Sequence, residues 1–336
     1  MSDWKIFTGS GKVGNDLSRL PAAPPWRPFG KDEELEPPPL SDEDEKDLDY
    51  ALARTFRTTP AMVEAVNTAL YLRRPLLVTG KPGNGKSSLI RAVARELRLG
   101  PVLRWSITSK STLKDGLYLY DALGRLDAQN RNGKDSDDSD IGKFIELGPV
   151  GTALLKTNWP RALLIDEIDK SDLDLPNDLL NIFEEGEYSI PELARASVKS
   201  KDGGVTVRTW RRLAEARIVR GHVRCTQFPF VVLTSNRERE FPPAFLRRCI
   251  RIAIEEPGED MLGDIVESHF DKTTQGKAVD LIKQFLVNRA SKELATDQLL
   301  NAVHLVLSSG REIAEKEKED LLKSLYKPIS GPEATK

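Results

Sequence analysis

The feature that most constrains this chain is a glycine-rich loop between a short apolar strand and a helix. Residues 75–79 predict the strand, the loop 80–87 reads G-x-x-x-x-G-K-S, and residues 89–97 have helical spacing. Glycines allow the tight turn that points backbone N–H groups at phosphate oxygens, and the helix N-terminus adds positive potential. This arrangement predicts an α/β fold with a phosphate-binding loop. A chance glycine-rich turn is the weaker alternative.

Two side chains of this loop have specific predicted roles. Lys86 is expected to reach the β- and γ-phosphates of a nucleotide, and Ser87 to offer its hydroxyl to Mg²⁺. The residues expected to bind the nucleotide are Gly80, Lys81, Pro82, Gly83, Asn84, Gly85, Lys86, Ser87 and Ser88.

A second apolar strand ends in two acidic residues. Residues 162–165 are followed directly by Asp166 and Glu167. The carboxyl end of a strand is where ligands bind in open α/β sheets. We expect Asp166 to hold Mg²⁺ and Glu167 to polarise the water that attacks the γ-phosphate. Such a pair alone is usually a solvated strand end, but the phosphate-binding loop in the same chain favours catalysis.

Two further patterns predict groups that reach the γ-phosphate. The apolar run 230–234 leads to Asn236, whose amide is expected to bond that phosphate or the attacking water. Arg247 and Arg248 precede the apolar run 250–254, and a guanidinium there is expected to reach the nucleotide of a neighbouring subunit. The alternatives are a turn residue for Asn236 and surface charge pairs for the arginines.

The order of these runs indicates the architecture. Five short apolar runs with helices between them predict a parallel sheet covered on both faces. After residue 257 only helical patterns follow, at 260–270, 277–290, 297–307 and 311–325. We therefore divide the chain into an N-terminal tail (1–45), an α/β domain (46–256), a helical lid (257–328) and a C-terminal tail (329–336).

Composition excludes several classes of protein. The 50 Lys and Arg against 52 Asp and Glu give a net charge of −2, which makes no general case for a nucleic-acid or membrane partner. The 2 cysteines cannot form a disulfide framework, and the 3 histidines lack metal-ligand spacing. No apolar run approaches the ~18 residues of a membrane span. We therefore expect a soluble, cytoplasmic protein.

Two polar segments have less specific patterns. Residues 1–45 are rich in proline and acidic residues, which favours a mostly disordered lead-in. Docking of residues 26–29, which include Trp26, is the alternative. Residues 134–140 read KDSDDSD and predict a solvated loop, because no EF-hand glycine and glutamate follow.

The four motifs, in this order on five strands followed by a helical segment, resemble the AAA+ ATPases. Within them the chain looks most like the MoxR branch and its dynein-related relatives. The segment 144–150 resembles the family's F-x-x-G-P-[LV] element, and 177–188 resembles its helix leading into a β-hairpin. The resemblance spans roughly residues 50–328. It implies a P-loop NTPase fold, with a three-layer αβα domain on a five-stranded parallel sheet and a small all-α lid.

The resemblance also implies an activity. The resemblance implies an ATPase that uses ATP and Mg²⁺ as cofactors. Asn236 takes the place of the family's sensor 1 and Arg248 that of its arginine finger. Arg247 stands where the family has an acidic residue. A finger that acts in trans implies a homo-oligomeric ring, commonly a hexamer. The branch implies chaperone-like remodelling or activation of a protein client, often one with a von Willebrand factor A domain on another chain. The sensor-2 arginine is missing from 295–298, and Arg289 or Arg311 would have to replace it.

One insert, residues 191–225, is particular to this chain. It holds a cluster of arginines and Trp210, a combination suited to nucleic acid or an acidic peptide. The alternation at 205–207 and 218–219 instead favours hairpin strands with the arginines on the solvated face. Two alternative functions remain. One is a motor that acts on nucleic acid, and the other is a slow ATP-dependent switch or scaffold in a bacterial conflict system. The arginines are Arg208, Arg211, Arg212, Arg217, Arg220 and Arg224.

Overall fold

The structure is a computed structural model. It describes residues 4–14, 16–27, 29, 35, 48–132, 138–196, 203–212, 214–308 and 315–328. Most of the acidic loop 134–140, Arg311 and the C-terminal tail 329–336 lie outside the described residues.

The strands form two sheets. The first has the order β11-β1-β10-β5-β2 with every pair parallel, which confirms the predicted five-stranded parallel sheet. The second has the order β3-β4-β7-β8-β9-β6. The strands are β1 (Leu76–Thr79), β2 (Leu103–Ser106), β3 (Tyr118–Tyr120), β4 (Ile145–Leu147), β5 (Ala162–Asp166), β6 (Glu187–Ser189), β7 (Gly204–Arg208), β8 (Glu215–Val219), β9 (His222–Arg224), β10 (Phe230–Ser235) and β11 (Ile250–Ala253).

The helices cover the first sheet and form the C-terminal part. They are α1 (Leu48–Thr55), α2 (Pro60–Leu72), α3 (Lys86–Leu97), α4 (Leu113–Leu117), α5 (Ala122–Asn132), α6 (Pro149–Ala153), α7 (Leu175–Glu185), α8 (Pro191–Ala196), α9 (Pro243–Leu246), α10 (Glu259–His269), α11 (Lys272–Lys277), α12 (Val279–Ser291), α13 (Thr296–Val303) and α14 (Glu315–Leu325).

The central strands are buried on both faces, so alternate side chains enter two separate cores. Leu163 and Leu233 pack on the side of α6 and α7, with Phe183. Leu164 and Val232 pack on the side of α2 and α3. This period-2 alternation in wholly apolar strands produces a three-layer αβα domain. Parallel strands end at the same edge, so the loops after β1, β5 and β10 meet there.

The N-terminal segment packs against the domain. Ile6 and Phe7 are buried in the core beside α2 and α3. Asn67 of α2 accepts from both of their backbone N–H groups at 2.7 and 3.0 Å, and donates to the Phe7 carbonyl at 2.7 Å. The expectation of a disordered lead-in is therefore wrong for the described part of this segment, because buried apolar side chains and backbone hydrogen bonds tie it down.

Docking of residues 26–29 is confirmed in part. Arg27 and Phe29 are buried, at 3% and 2% exposure. Trp26 is 70% exposed. The two buried residues contact the end of α7, where Arg27 Nη2 donates to the Phe183 carbonyl at 2.9 Å.

Replacing Phe7 with Ala tests whether the segment is part of the folded domain. The side chain is fully buried, at 0% exposure, so we expect the free energy of unfolding to fall by about 3–5 kcal/mol. Urea denaturation measures this change. Val13→Ala, at a position that is 37% exposed in the same segment, should stay within ~0.5 kcal/mol of wild type. Equal effects of the two substitutions would show that the segment does not pack in solution.

The arginine-rich insert forms part of the second sheet. β7 and β8 pair antiparallel, with Val205 and Val207 buried. Arg211, Arg217, Arg220 and Arg224 are exposed, so the predicted solvated face is confirmed for these four arginines. Arg208 is half-buried and donates through Nη2 to the Lys143 carbonyl at 2.7 Å, so the prediction is wrong for this residue. On the β7 side of this hairpin lie β4 and then β3, which have three residues each and were not predicted. Such short runs carry no periodic signal.

The C-terminal helices α10–α14 enclose a core of their own, which includes Leu262, Phe285 and Leu299. The helix predicted at 297–307 is α-helical only as far as Val303, the end of α13. A π-helical turn over His304–Ser308 follows it. None of the helices in the described ranges has the length and apolar character needed to cross a membrane.

Candidate active site

The loop between β1 and α3 has the shape that phosphate binding requires. Gly85 lies at the N-terminus of α3 with φ of 76°, a conformation that glycine adopts without steric cost. The Lys86 ammonium donates to the carbonyls of Gly80 and Lys81, both at 2.8 Å. Burial lowers the pKa of Lys86, and the neighbouring carboxylates Asp169 and Asp166 oppose that shift. A cation held among loop carbonyls beside a helix N-terminus favours an anion at this position.

Asp166 is the centre of the site. Its Oδ1 accepts from Ser87 Oγ and from Thr234 Oγ1, both at 2.7 Å, and its Oδ2 lies 2.6 Å from Arg104 Nη2. Burial by itself raises the pKa of this carboxyl, but the hydrogen bonds from Thr234 and Ser87 and the charge of Arg104 together hold it below its usual value. Asp166 is therefore kept as a buried carboxylate directly beside the loop hydroxyl.

Glu167 extends from the end of β5 in an unusual backbone conformation. Its φ is 62°, uncommon for a residue with a side chain, and its N–H donates to Thr234 Oγ1 at 2.8 Å. The carboxylate lies 2.7 Å from Lys170 Nζ and 3.4 Å from Asn236 Nδ2, and the side chain is 40% exposed. The structure thus brings Glu167 and Asn236 together and leaves the carboxylate accessible.

Asp169 joins the loops after β5 and β10. Its Oδ2 accepts from the backbone N–H groups of Asn236 at 2.8 Å and Glu238 at 3.1 Å, and the residue is 5% exposed. Its Oδ1 is buried without a hydrogen-bond partner among the described residues. Asp169 therefore fixes the backbone that carries Asn236.

The sequence reasoning did not find Arg104, Thr234 or Asp169 as site residues. Thr234 ends an apolar run with a small polar side chain, which is a weak signal. Arg104 lies in a strand with alternating burial, where an arginine reads as a solvated residue. Only the register that places β2 beside β5 brings it to Asp166.

The lid lies against the loop. A Cβ on Gly83 would come within 2.3 Å of the Ala295 Cβ, so only glycine fits this approach. Beside it is a mostly apolar pocket of about 190 Å³, lined by residues such as Phe56, Asn84 and Leu300. A flat heterocycle attached to a phosphate chain suits such a pocket. Asp297 also lines it.

Arg289, one candidate for the missing sensor-2 arginine, is bound elsewhere. Its Nη2 donates to the Pro257 carbonyl at 2.8 Å, and its guanidinium lies over the Phe285 ring.

Arg247 and Arg248 follow α9 and are not hydrogen-bonded to the loop, Asp166 or Glu167 in the described structure. Arg248 Nε lies 3.4 Å from Glu184 Oε1, and Arg248 Nη1 donates to the Ala244 carbonyl at 3.4 Å. The Arg247 side chain is exposed.

The donor set suits a nucleotide with Mg²⁺. The Ser87 hydroxyl and the Asp166 carboxylate are hard oxygen donors 2.7 Å apart. Mg²⁺ binds proteins through one or two carboxylates and the phosphates of its nucleotide. Ser87 and Asp166 would hold the ion next to a loop whose N–H groups and Lys86 would hold the phosphates.

Sheet order, phosphate-binding loop and acidic strand end together define a P-loop NTPase with the AAA+ arrangement of strands. The family described as AAA domain (dynein-related subfamily) matches residues 75–249, more than half of the chain, and the chain belongs to this family. The AAA+ resemblance is thereby confirmed, while the MoxR branch stays a prediction. A solved structure of C. elegans PCH-2 is 13% identical, with a TM-score of 0.38, over 85% of this chain and 68% of that one. No curated protein matches.

Proposed function

We propose that this protein is a Mg²⁺-dependent ATPase that forms a ring and remodels or activates partner proteins in the manner of MoxR-type chaperones. The observation that carries the ATPase proposal is the convergence of Ser87, Asp166, Glu167 and Asn236 at one edge of the sheet, next to Lys86. These are the groups that metal binding, water activation and phosphate binding need.

Each side chain has a distinct proposed task. Lys86 binds the β- and γ-phosphates, and Ser87 and Asp166 hold Mg²⁺, which neutralises phosphate charge when bound. Glu167 accepts the proton of the attacking water, and its exposed carboxylate supports this role. Asn236, whose Nδ2 lies 3.4 Å from Glu167 Oε1, orients that carboxylate or the attacking water. The ion pair of Glu167 with Lys170 must open before the carboxylate can act.

The ring is supported by the position of Arg248. In the described structure Arg248 contacts Glu184 and the Ala244 carbonyl, outside the site of its own chain. This supports a role in the site of a neighbour, like that of the family's arginine finger. A closed ring, most simply a hexamer, gives every site such a neighbour. A client protein, with a von Willebrand factor A domain on its own chain, is the partner that the MoxR resemblance implies. The cytoplasm is the proposed location.

Phosphate release from ATP over a series of protein concentrations tests this proposal. Turnover per subunit should rise several-fold as the ring assembles, in step with the mass measured by light scattering, and excess EDTA should abolish it. Turnover per subunit that is independent of concentration would contradict the shared site. The absence of turnover in the assembled protein, with and without clients, would contradict the ATPase.

A slow ATP-dependent switch is the second candidate. Two features favour it. Asp297 lies at the start of the lid helix α13, beside the pocket, and Glu167 is paired with Lys170. A switch assembles on binding ATP and releases phosphate in a single slow turnover. A remodeller is accelerated by its client.

A further inference from the structure

A chain of charged contacts joins the N-terminal segment to Arg248. Arg27 Nη1 lies 2.9 Å from Glu184 Oε2, and the other oxygen of that carboxylate, Oε1, lies 3.4 Å from Arg248 Nε. We propose that Arg27 and Glu184 are positioning residues that hold Arg248 ready for the nucleotide of the adjacent subunit. This inference rests on the proposed function, in which Arg248 acts in trans.

Arg27 is a rigid anchor. Its Nη2 donates to the carbonyls of Arg73 at 2.6 Å and Phe183 at 2.9 Å, and its guanidinium lies 5.2 and 4.9 Å from the ring centres of Phe29 and Phe228. Burial lowers the pKa of Arg27, and the Glu184 carboxylate opposes that shift. A buried guanidinium needs a charged partner, so Arg27 keeps the Glu184 carboxylate in one place.

Glu184, held by Arg27, in turn holds the Arg248 side chain. It lies near the end of α7, with one carboxylate oxygen on each arginine. Arg248 is then held through Nε by Glu184 and through Nη1 by the Ala244 carbonyl. Its Nη2 has no bonded partner in the described structure and remains available for a phosphate oxygen.

A second contact, from Arg74, fixes the backbone at Arg247, next to Arg248. Arg74 Nη1 donates to the Arg247 carbonyl at 3.0 Å. Arg74 directly follows Arg73, whose carbonyl accepts from Arg27. The residues that follow α2 therefore fix both arginines. Arg74 holds the Arg247 backbone directly, and Arg73 holds the Arg248 side chain through Arg27 and Glu184.

This arrangement has a kinetic consequence. A free arginine side chain samples many rotamers, and a small misplacement of a catalytic group slows a reaction strongly. Glu184 restricts those rotamers without entering the site. Its loss is expected to lower kcat and to leave ATP binding unchanged, because the neighbour's loop and lid are intact.

The test compares Glu184→Gln with Glu185→Gln, a control at the adjacent position of α7, which is also exposed. We expect Glu184→Gln to lower kcat on the order of tenfold, with an unchanged Kd for ATP and unchanged assembly by light scattering. Glu185→Gln should match wild type. Equal kcat values for the two variants would overturn the inference.

A double variant separates positioning from general damage. In the Arg248→Ala background, Glu184→Gln should cause no further loss of kcat, because there is no guanidinium left to hold. Losses that multiply would overturn the positioning role, since Glu184 would then act independently. If Arg248→Ala alone leaves kcat unchanged, the trans-acting finger is itself wrong. The two failures are therefore distinguishable.

Discussion

Replacing Glu167 with Gln is expected to lower kcat for ATP hydrolysis by about 10²–10⁴-fold while ATP binding persists. Glutamine has nearly the shape of glutamate, so the contact with Asn236 at 3.4 Å can remain. An amide cannot accept a proton from water at neutral pH, and the ion pair with Lys170 is lost as well. The substitution therefore removes the base and leaves the phosphate-binding loop and the metal ligands in place.

Phosphate release measures the loss of turnover, and equilibrium binding of a fluorescent ATP analogue measures the affinity. Glu240→Gln is the matched control, because Glu240 is exposed and lies in the segment that follows β10. Turnover by Glu167→Gln within about threefold of wild type would reject Glu167 as the base, since general bases contribute far more than this.

Replacing Arg248 with Ala is expected to lower kcat by about 10³-fold or more, the scale of an arginine finger. ATP binding should persist, because Arg248 has no hydrogen bond to the loop, Asp166 or Glu167 of its own chain in the described structure. The developing charge on the γ-phosphate would lose its guanidinium partner from the neighbour. Arg251→Ala, at an exposed position of the following strand, is the control.

Mixing two inactive variants gives the decisive measurement for action in trans. A subunit with Arg248→Ala retains Glu167, and a subunit with Glu167→Gln retains Arg248. Where they meet in one ring, some interfaces contain both wild-type groups, so the mixture should recover activity that neither variant has alone. No recovery in mixed rings confirmed by light scattering would show that Arg248 does not serve its neighbour. Arg247→Ala, measured in parallel, decides which of the two arginines acts.

The phosphate-binding loop, the five parallel strands and the acidic end of β5 could be predicted because each is encoded in adjacent residues. Glycine spacing, apolar runs and the polar residues that end them are local signals, and the shared edge of parallel strands follows from chain direction alone. The same chain direction predicts that Asp166, Glu167 and Asn236 lie close together. The sequence does not predict the packing of Phe7, because the prolines from residue 21 and the acidic residues from residue 32 make the segment 1–45 as a whole typical of a disordered one.

Partners that lie far apart along the chain emerged only when the chain was folded. Thr234 and Arg104 meet Asp166 through strand register, and Arg27 meets Glu184 because the N-terminal segment crosses to α7. The sequence showed these residues as charges and hydroxyls without indicating which carboxylate each would contact. Hydrogen bonds and ion pairs depend on distances of about 3 Å, and no local pattern specifies such a distance between residues that are far apart in sequence.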